Sequence, residues 1–226
     1  MESRNFQEQA FINGEADRWF KRNESKLSEA QSATDVEVVA QFLKPFSSSI
    51  NKVLEIGCSN GIKLQGICSA VGASGYGIDP SSAAIEDGRL RFAANDISLA
   101  VGTASKLDFP NSYFDVVYFG FSLYLLDRSS LFQSIAEADR VLKDGGYLVI
   151  HDFDPGFRTK RNYVHHEGVS SYKNSYSDFL ISSGHYYLVS KSSFSHSSQN
   201  FDSDPNERIS ICLLYKETDA YPDLVV

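Results

Sequence analysis

The stretch from residue 53 to 61 constrains the fold most strongly, because a short apolar run ends there in a turn that contains two glycines. The apolar residues suit a buried strand, and Gly57 and Gly61 bracket a turn into residues with helical spacing. Glycine permits positive φ and, lacking a Cβ, lets a ligand approach the backbone closely. Taken alone, this pattern fits an ordinary strand-to-helix connection as well as a nucleotide-binding turn.

The acid Asp79 favours the nucleotide-binding interpretation. It follows a second predicted strand, residues 75–78, and lies roughly 20 residues after Gly57. A carboxylate at this point of a βαβ unit accepts hydrogen bonds from ribose hydroxyls. Charge-assisted bonds to two neighbouring hydroxyls would orient the sugar. Considered by itself, Asp79 is also compatible with a solvated turn before Pro80.

Strands and helices alternate along the rest of the chain. Further strands are predicted at residues 97–101, 114–120 and 147–150, and helices at residues 64–71, 81–92 and 131–142. This alternation predicts an α/β fold, a Rossmann-like three-layer sandwich with a parallel sheet between two layers of helices. Ligands of such sheets bind at the carboxyl ends of the strands. Two later strands are expected at residues 185–189 and 209–215, with a short helix at 177–183 before them and a polar surface loop between them.

The N-terminal region mixes aromatic and charged residues between positions 6 and 31, which predicts one or two short helices lying over the domain. Trp19 and Phe20 are adjacent and cannot point the same way on a helix. One of them is expected to pack on the domain, which leaves the other free to face a cleft; the alternative is that both only tether the helix. Thr34 is a candidate cap for a further helix that Pro45 ends.

Composition limits the partners and the compartment. The 29 acidic residues outnumber the 21 basic ones among 226 residues, which disfavours a nucleic-acid partner. Cys58, Cys68 and Cys212 are widely spaced and odd in number, so reduced thiols are expected rather than a disulfide framework or a metal site. No secretory signal and no run of ~20 apolar residues is visible. A cytoplasmic protein without membrane contact is expected.

Four segments in order resemble the class I S-adenosylmethionine-dependent methyltransferases, especially the small-molecule, methyltransferase type 11-like branch. They are Val-Leu-Glu-Ile-Gly-Cys-Ser-Asn-Gly at 53–61, Gly-Tyr-Gly-Ile-Asp at 75–79, residues 102–110 with Phe-Asp-Val-Val at 114–117, and residues 141–150. The resemblance covers close to half of the chain. It implies a seven-stranded, mostly parallel sheet with an antiparallel C-terminal strand pair, S-adenosyl-L-methionine as cofactor, and a small-molecule methyl acceptor.

The resemblance also implies which residues bind the cofactor. The first motif would wrap the methionine portion, Asp79 would bind the ribose, Thr103 and Ala104 would lie beside the adenine, and the backbone of Phe119 would face the amino-acid end. The first-motif residues that match the family are Glu55, Gly57, Cys58, Ser59 and Gly61. Ser59 replaces the usual middle glycine, and Thr103 stands where the family often has an aspartate.

We expect a single domain over residues 1–226 with four parts: an N-terminal helical cap (1–45), a cofactor-binding core (51–153), a substrate-recognition insertion (154–178) and a C-terminal β-hairpin (184–216). Basic and aromatic residues in the insertion suggest an anionic or polyhydroxylated acceptor, such as a phosphate, a carboxylate or a sugar.

Methyl transfer requires chiefly that an O, N or C atom be aligned with the activated methyl group and that water be excluded. If a general base is needed, His165 and His166 are the candidates, since imidazole titrates near neutrality and both lie in the insertion. His151 and Asp152, at the end of the fifth strand, are alternatives.

The expected function is methyl transfer to an O or N atom of a small molecule. The alternative that the chain is a noncatalytic module with the same fold stays open, because methyl transfer needs no single diagnostic catalytic residue. A nicotinamide-dependent oxidoreductase is disfavoured, because the turn after residue 56 lacks the three-glycine spacing that receives a pyrophosphate.

Overall fold

The computed structural model describes residues 5–27 and 34–223, and within them a seven-stranded sheet forms the centre of the fold. The strands are β1 (Lys52–Ile56), β2 (Ser74–Asp79), β3 (Ile97–Val101), β4 (Phe114–Gly120), β5 (Leu142–Phe153), β8 (Tyr186–Ser195) and β9 (Arg208–Lys216). A separate hairpin consists of β6 (Thr159–Asn162) and β7 (Ser170–Lys173). The helices are α1 (Phe6–Ala10), α2 (Ala16–Leu27), α3 (Thr34–Leu43), α4 (Ile62–Val71), α5 (Ser82–Arg91), α6 (Leu131–Val141) and α7 (Ser177–Ser182).

The strand order is β3-β2-β1-β4-β5-β9-β8. The first five strands pair in parallel, whereas β9 runs antiparallel to β5 and β8 antiparallel to β9. This is the predicted Rossmann-like sheet with its antiparallel C-terminal pair. The chain runs outward from β1 through β2 to β3, and then returns to place β4 on the other side of β1. The order therefore reverses between β1 and β4, where open α/β sheets bind their ligands.

Consecutive side chains of each strand enter opposite layers. Val53 packs with α3 and α4, whereas its neighbour Leu54 packs with α6 and α7. Val116 and Val117 divide between the same two layers. Because both faces of the central strands are covered, most of their residues are apolar, which agrees with the three-layer sandwich.

Three parts of the structure differ from the sequence predictions. Helix α6 ends at Val141 and β5 begins at once, because Gly145 and Gly146 lie within an irregular start of the strand rather than in a helix-ending turn. The 154–178 insertion, in which no strand was predicted, contains the β6–β7 hairpin. Strand β8 continues to Ser195, well beyond residue 189, because its serines are compatible with an edge strand although their polarity resembles a loop.

The helices before residue 28, α1 and α2 with the π-helical turn Phe11–Glu15 between them, form the N-terminal cap. Gly14, at φ 116°, breaks the helical backbone within that turn. Asp127 accepts hydrogen bonds from the first turn of α1, including Glu8 N at 2.9 Å. Asp17 on α2 accepts from Ser81 Oγ at 2.6 Å, at the start of α5. Such bonds attach the cap beside the carboxyl edge of the sheet. The helix start predicted at Thr34 is observed, but the residues just before it lie outside the described ones.

Candidate functional site

A cavity of about 490 Å³ runs along the carboxyl edge of the parallel strands. Its lining residues follow the strand order across the sheet: Thr103 after β3, Asp79 on β2, Gly57 after β1, Gly120 on β4, His151 on β5 and Ile209 on β9. Phe11 and Trp19 of the N-terminal cap line the opposite side. Phe20, in contrast, is buried, so the two adjacent aromatics diverge as the sequence predicted.

The glycine turn is attached to the end of β2. Gly57 N and Cys58 N donate to Ile78 O at 2.9 and 3.0 Å, and Ser59 N donates to Asp79 Oδ2 at 2.8 Å. Gly57 has φ 82°, in the left-handed region that favours glycine. Ser59 adopts φ 49° at the position where the resembled family usually has a glycine, and its buried Oγ has no hydrogen-bond partner in the part of the chain that the structure describes. The turn and Asp79 therefore form one unit at the cavity wall.

Both oxygens of Asp79 are engaged by backbone amides. Besides Ser59 N on Oδ2, Ser81 N donates to Oδ1 at 2.8 Å. Burial raises the pKa of Asp79 to about 6, although both hydrogen bonds favour the ionised form. Each carboxylate oxygen keeps a second lone pair, so Asp79 can still accept hydrogen bonds from a molecule in the cavity.

The structure brings most of the other residues predicted to bind the cofactor to the same cavity. Those that line it, besides Asp79, are Glu55, Gly57, Cys58, Ser59, Thr103 and Ala104. Gly61 instead starts α4, and a Cβ at its position would lie 3.0 Å from Leu99. Phe119 packs in the apolar core, and the residues that follow it, Gly120 to Ser122, line the cavity in its place.

Glu55 is the most isolated carboxyl of the site. It is 2% exposed, and its Oε2 atom has no hydrogen-bond partner among the described residues. Burial raises the pKa of Glu55 to about 8 even though Lys63 lies close enough to oppose this shift. A buried polar atom without a partner indicates a place where a ligand or an ordered water completes the structure.

His151 belongs to a buried polar cluster on the other side of β1. Its Nδ1 atom lies 3.3 Å from Tyr118 OH and 3.5 Å from Asp35 Oδ2, and Asp35 also pairs with Lys63. The Nε2 atom is buried and has no hydrogen-bond partner within residues 5–27 and 34–223. Burial, assisted by Lys63, lowers the pKa of His151 to about 3, so the imidazole is neutral at physiological pH. The sequence pointed to His151 by its position after β5, but no spacing linked it to Asp35.

The predicted general bases His165 and His166 lie between β6 and β7, and neither lines the cavity. The ring of His166 packs edge-on against Phe6, with 6.3 Å between centroids, and that of His165 against Tyr163. Their catalytic role stays a prediction that no contact with the cavity supports. Asp152 is buried beneath the site, where it accepts from Phe153 N and Tyr124 N, and does not line the cavity either.

The family model described as "Methyltransferase domain" matches residues 53–146, which include the glycine turn, Asp79 and the strands that hold them. This segment is similar to methyltransferase domains. The fold, with the strand order and antiparallel pair described above, is that of the class I methyltransferases. The match ends before His151, so the polar cluster around this histidine lies partly outside the matched segment.

Curated relatives match part of the chain. The ubiquinone/menaquinone biosynthesis C-methyltransferase UbiE of Laribacter hongkongensis is 35% identical over 106 residues, 45% of this chain and 43% of the relative. The fatty-acid O-methyltransferase of Mycolicibacterium smegmatis is 32% identical over 107 residues, 47% of this chain and 38% of the relative. The chain thus spans less than half the length of each of these relatives.

One solved structure resembles nearly the whole chain. The 1,6-didemethyltoxoflavin-N1-methyltransferase of Burkholderia thailandensis, solved with 1,6-didemethyltoxoflavin and S-adenosylhomocysteine, has a TM-score of 0.72 and 13% identity. The superposition covers 96% of this chain and 92% of that chain. The methyltransferase fold therefore extends beyond the segment that the family model matches.

Proposed function

We propose that the protein is an S-adenosylmethionine-dependent methyltransferase that acts on a small molecule. The observation that carries this proposal is the arrangement of Asp79 and the glycine turn side by side at the wall of a cavity, at the point where the strand order reverses. Neither feature is diagnostic alone, but together they provide a carboxylate for a ribose and an open backbone for the group attached to it.

The residues around the cavity fit this cofactor. Asp79 would bind the ribose hydroxyls, and Thr103 and Ala104 would border the adenine. The methionine portion would lie along the glycine turn, where Glu55 Oε2 and Ser59 Oγ are polar atoms without partners in the described structure. An ammonium group near Glu55 would supply the missing partner and favour the ionised carboxylate.

The chemistry of the proposed reaction places few demands on the protein. S-adenosylmethionine carries a methyl group that its sulfonium centre has already activated. The chain's own residues therefore need to hold the acceptor in line and to exclude water. Phe11 and Trp19 of the N-terminal cap lie across the cavity from the glycine turn and serve the second purpose.

The end of the cavity near β5, β9 and β8 is left for the methyl acceptor. Phe121, Tyr124, Phe194 and Ile209 line it, together with the polar residues Ser195, His196, Ser198 and Gln199. The aromatic rings favour an acceptor with an apolar or aromatic body over the anionic or polyhydroxylated one suggested by the residues of the 154–178 insertion. The basic side chains of that insertion do not line the cavity, and Arg161 instead donates to Asn206 Oδ1 at 2.8 Å.

The relatives' names agree with an apolar acceptor, since one refers to ubiquinone and menaquinone and another to fatty acids. We retain the four-part organisation of the chain as part of the proposal, with the insertion no longer assigned to the acceptor. No helix among the described residues is long and apolar enough to cross a membrane. The three cysteines are free and buried, and we propose a reducing, cytoplasmic location.

Calorimetric titration with S-adenosylmethionine, S-adenosylhomocysteine and NAD tests the cofactor assignment. The first two ligands should bind and NAD should not; binding of NAD alone would refute the proposal. Release of S-adenosylhomocysteine in the presence of a panel of aromatic and apolar acceptors then tests catalysis. A protein that binds S-adenosylmethionine but transfers its methyl group to no acceptor would support the noncatalytic alternative.

A further inference from the structure

His151 presents an unsatisfied hydrogen-bonding atom at the acceptor end of the cavity. The residue lines the cavity and is 4% exposed, and its Nε2 atom has no partner among the described residues. Buried nitrogen atoms of this kind are normally hydrogen-bonded. Since Nδ1 is already next to Asp35 and Tyr118, Nε2 is the atom available to a molecule bound in the cavity.

The neighbours of Nδ1 determine which nitrogen carries the proton. Burial alone would raise the pKa of Asp35, but the Lys63 ammonium group lowers it below the usual value, so the carboxyl is an anion. Tyr118 OH, 3.3 Å from Nδ1, can accept or donate a hydrogen bond, whereas the anionic carboxylate oxygen at 3.5 Å only accepts, so Asp35 favours a proton on Nδ1. Neutral imidazole then has a lone pair on Nε2. The free atom is therefore an acceptor, which requires a hydroxyl or N–H donor on its partner.

Aromatic rings surround this acceptor atom. The centroids of the Phe121 and Phe194 rings lie 5.0 and 6.0 Å from that of His151, and all three residues line the cavity. Phe121 has φ 61°, a left-handed conformation that is rare for a bulky residue. The hydrogen bond from Phe121 N to His151 O, at 2.8 Å, holds this backbone in place. Such outliers concentrate where a side chain must be held at a functional site.

We propose that His151 binds the methyl acceptor, and that the acceptor is a planar aromatic compound whose hydroxyl group donates a hydrogen bond to Nε2. This inference rests on the proposed function and specifies the acceptor class for the same cavity. The rings of Phe121 and Phe194 contact the aromatic body, while Asp35 positions His151 by holding the proton on Nδ1. Ser195, His196, Ser198 and Gln199 line the same end of the cavity and can bind further polar groups of the acceptor.

The preference for a hydroxyl donor can be measured with 2-naphthol and its methyl ether, 2-methoxynaphthalene, by calorimetry on the complex with S-adenosylhomocysteine. One net hydrogen bond corresponds to roughly a 3- to 10-fold preference of the wild type for 2-naphthol. His151→Phe should abolish this preference, and His151→Gln, which retains an acceptor, should restore part of it. His185→Phe, the same change at an exposed histidine outside the cavity, should leave the preference unchanged.

Nitrogen NMR of histidine-labelled protein measures the tautomer of His151 independently. The wild-type spectrum does not depend on whether a variant folds. The spectrum should show His151 protonated on Nδ1 and unprotonated on Nε2, and Asp35→Asn should shift the balance toward the other tautomer. Protonation on Nε2 in the wild type, equal affinity for the two naphthalenes, or no binding of either to the complex would overturn the inference. Binding of S-adenosylhomocysteine is measured first, so its absence would count against the proposed function instead.

Discussion

Replacing Asp79 by asparagine changes one oxygen for a nitrogen and tests the core of the proposed site. The carboxylate accepts from Ser59 N and from Ser81 N, both at 2.8 Å. An amide has a single oxygen, so Asp79→Asn leaves one of these amides facing an NH2 group. An unsatisfied buried donor costs about 1 to 3 kcal/mol, and a hydrogen bond to a charged acceptor is worth a similar amount to a ligand.

We therefore expect Asp79→Asn to weaken the binding of S-adenosylhomocysteine by about 2 kcal/mol, roughly 30-fold in Kd. Isothermal titration calorimetry measures this loss directly. Asp108→Asn is the matched control, because the Asp108 side chain is exposed and pairs with Lys106 on the surface, with 3.5 Å between Nζ and Oδ1. An affinity of Asp79→Asn within threefold of the wild type would refute the role of this carboxylate.

The pH dependence of binding provides a second measurement on the same residue. Since the pKa of Asp79 is about 6, the carboxylate becomes protonated between pH 7 and 5, and wild-type affinity should fall by about tenfold. The variant should show no such dependence. Unfolding does not explain the loss: a carboxyl whose pKa is raised on folding from 3.8 to about 6 contributes more stability at low pH than at high pH.

Three further changes test other parts of the site. The pKa of Glu55 is raised from 4.5 to about 8, so the stability of the wild type should decrease as pH rises through this range. The Tm of Glu55→Gln should therefore exceed that of the wild type by an amount that grows from pH 6 to 9. A Tm difference that stays constant with pH would contradict a raised pKa of Glu55. Gly57→Val should abolish cofactor binding, because its Cβ would lie 2.7 Å from Ser122 Cβ. Gly72→Val is the control, because Gly72 has a similar φ but a Cβ there would meet open space. This control should lose stability and still bind S-adenosylhomocysteine. Trp19 is the single tryptophan and lines the cavity, so its fluorescence should change when a ligand binds. If calorimetry shows that a ligand binds but saturation with it leaves the emission unchanged, the position of Trp19 at the cavity would be contradicted.

The clash at Gly57 also corrects the reason for its sensitivity. The sequence suggested that a side chain there would fill the ligand's space, but the added Cβ meets Ser122, whose Oγ donates to Ile56 O at 3.0 Å. The loop after β4 is therefore packed against the turn after β1. A side chain at residue 57 would separate these two loops, which form adjacent parts of the cavity wall.

Local sequence determined the framework of this protein. The positions of β3 and β4, the glycine turn and Asp79 at the end of β2 were predictable, because strand burial, helix periodicity and turn chemistry act over a few residues. Strands alternating with helices also implied a parallel sheet and therefore a site at its carboxyl edge. The β6–β7 hairpin was missed, since its strands are four residues long and largely polar.

Only the tertiary structure decided what faces the acceptor end of the cavity. Asp35, Lys63 and His151 come from α3, α4 and β5, and they meet because α3 and α4 cover the same face of the sheet on which the His151 side chain lies. The periodicity of the sequence does not predict that these three residues lie together, because their contact depends on strand order and on the depth at which each side chain is buried. For the same reason the histidines that looked most reactive in the sequence lie outside the cavity, while His151, within an apolar strand, lines it.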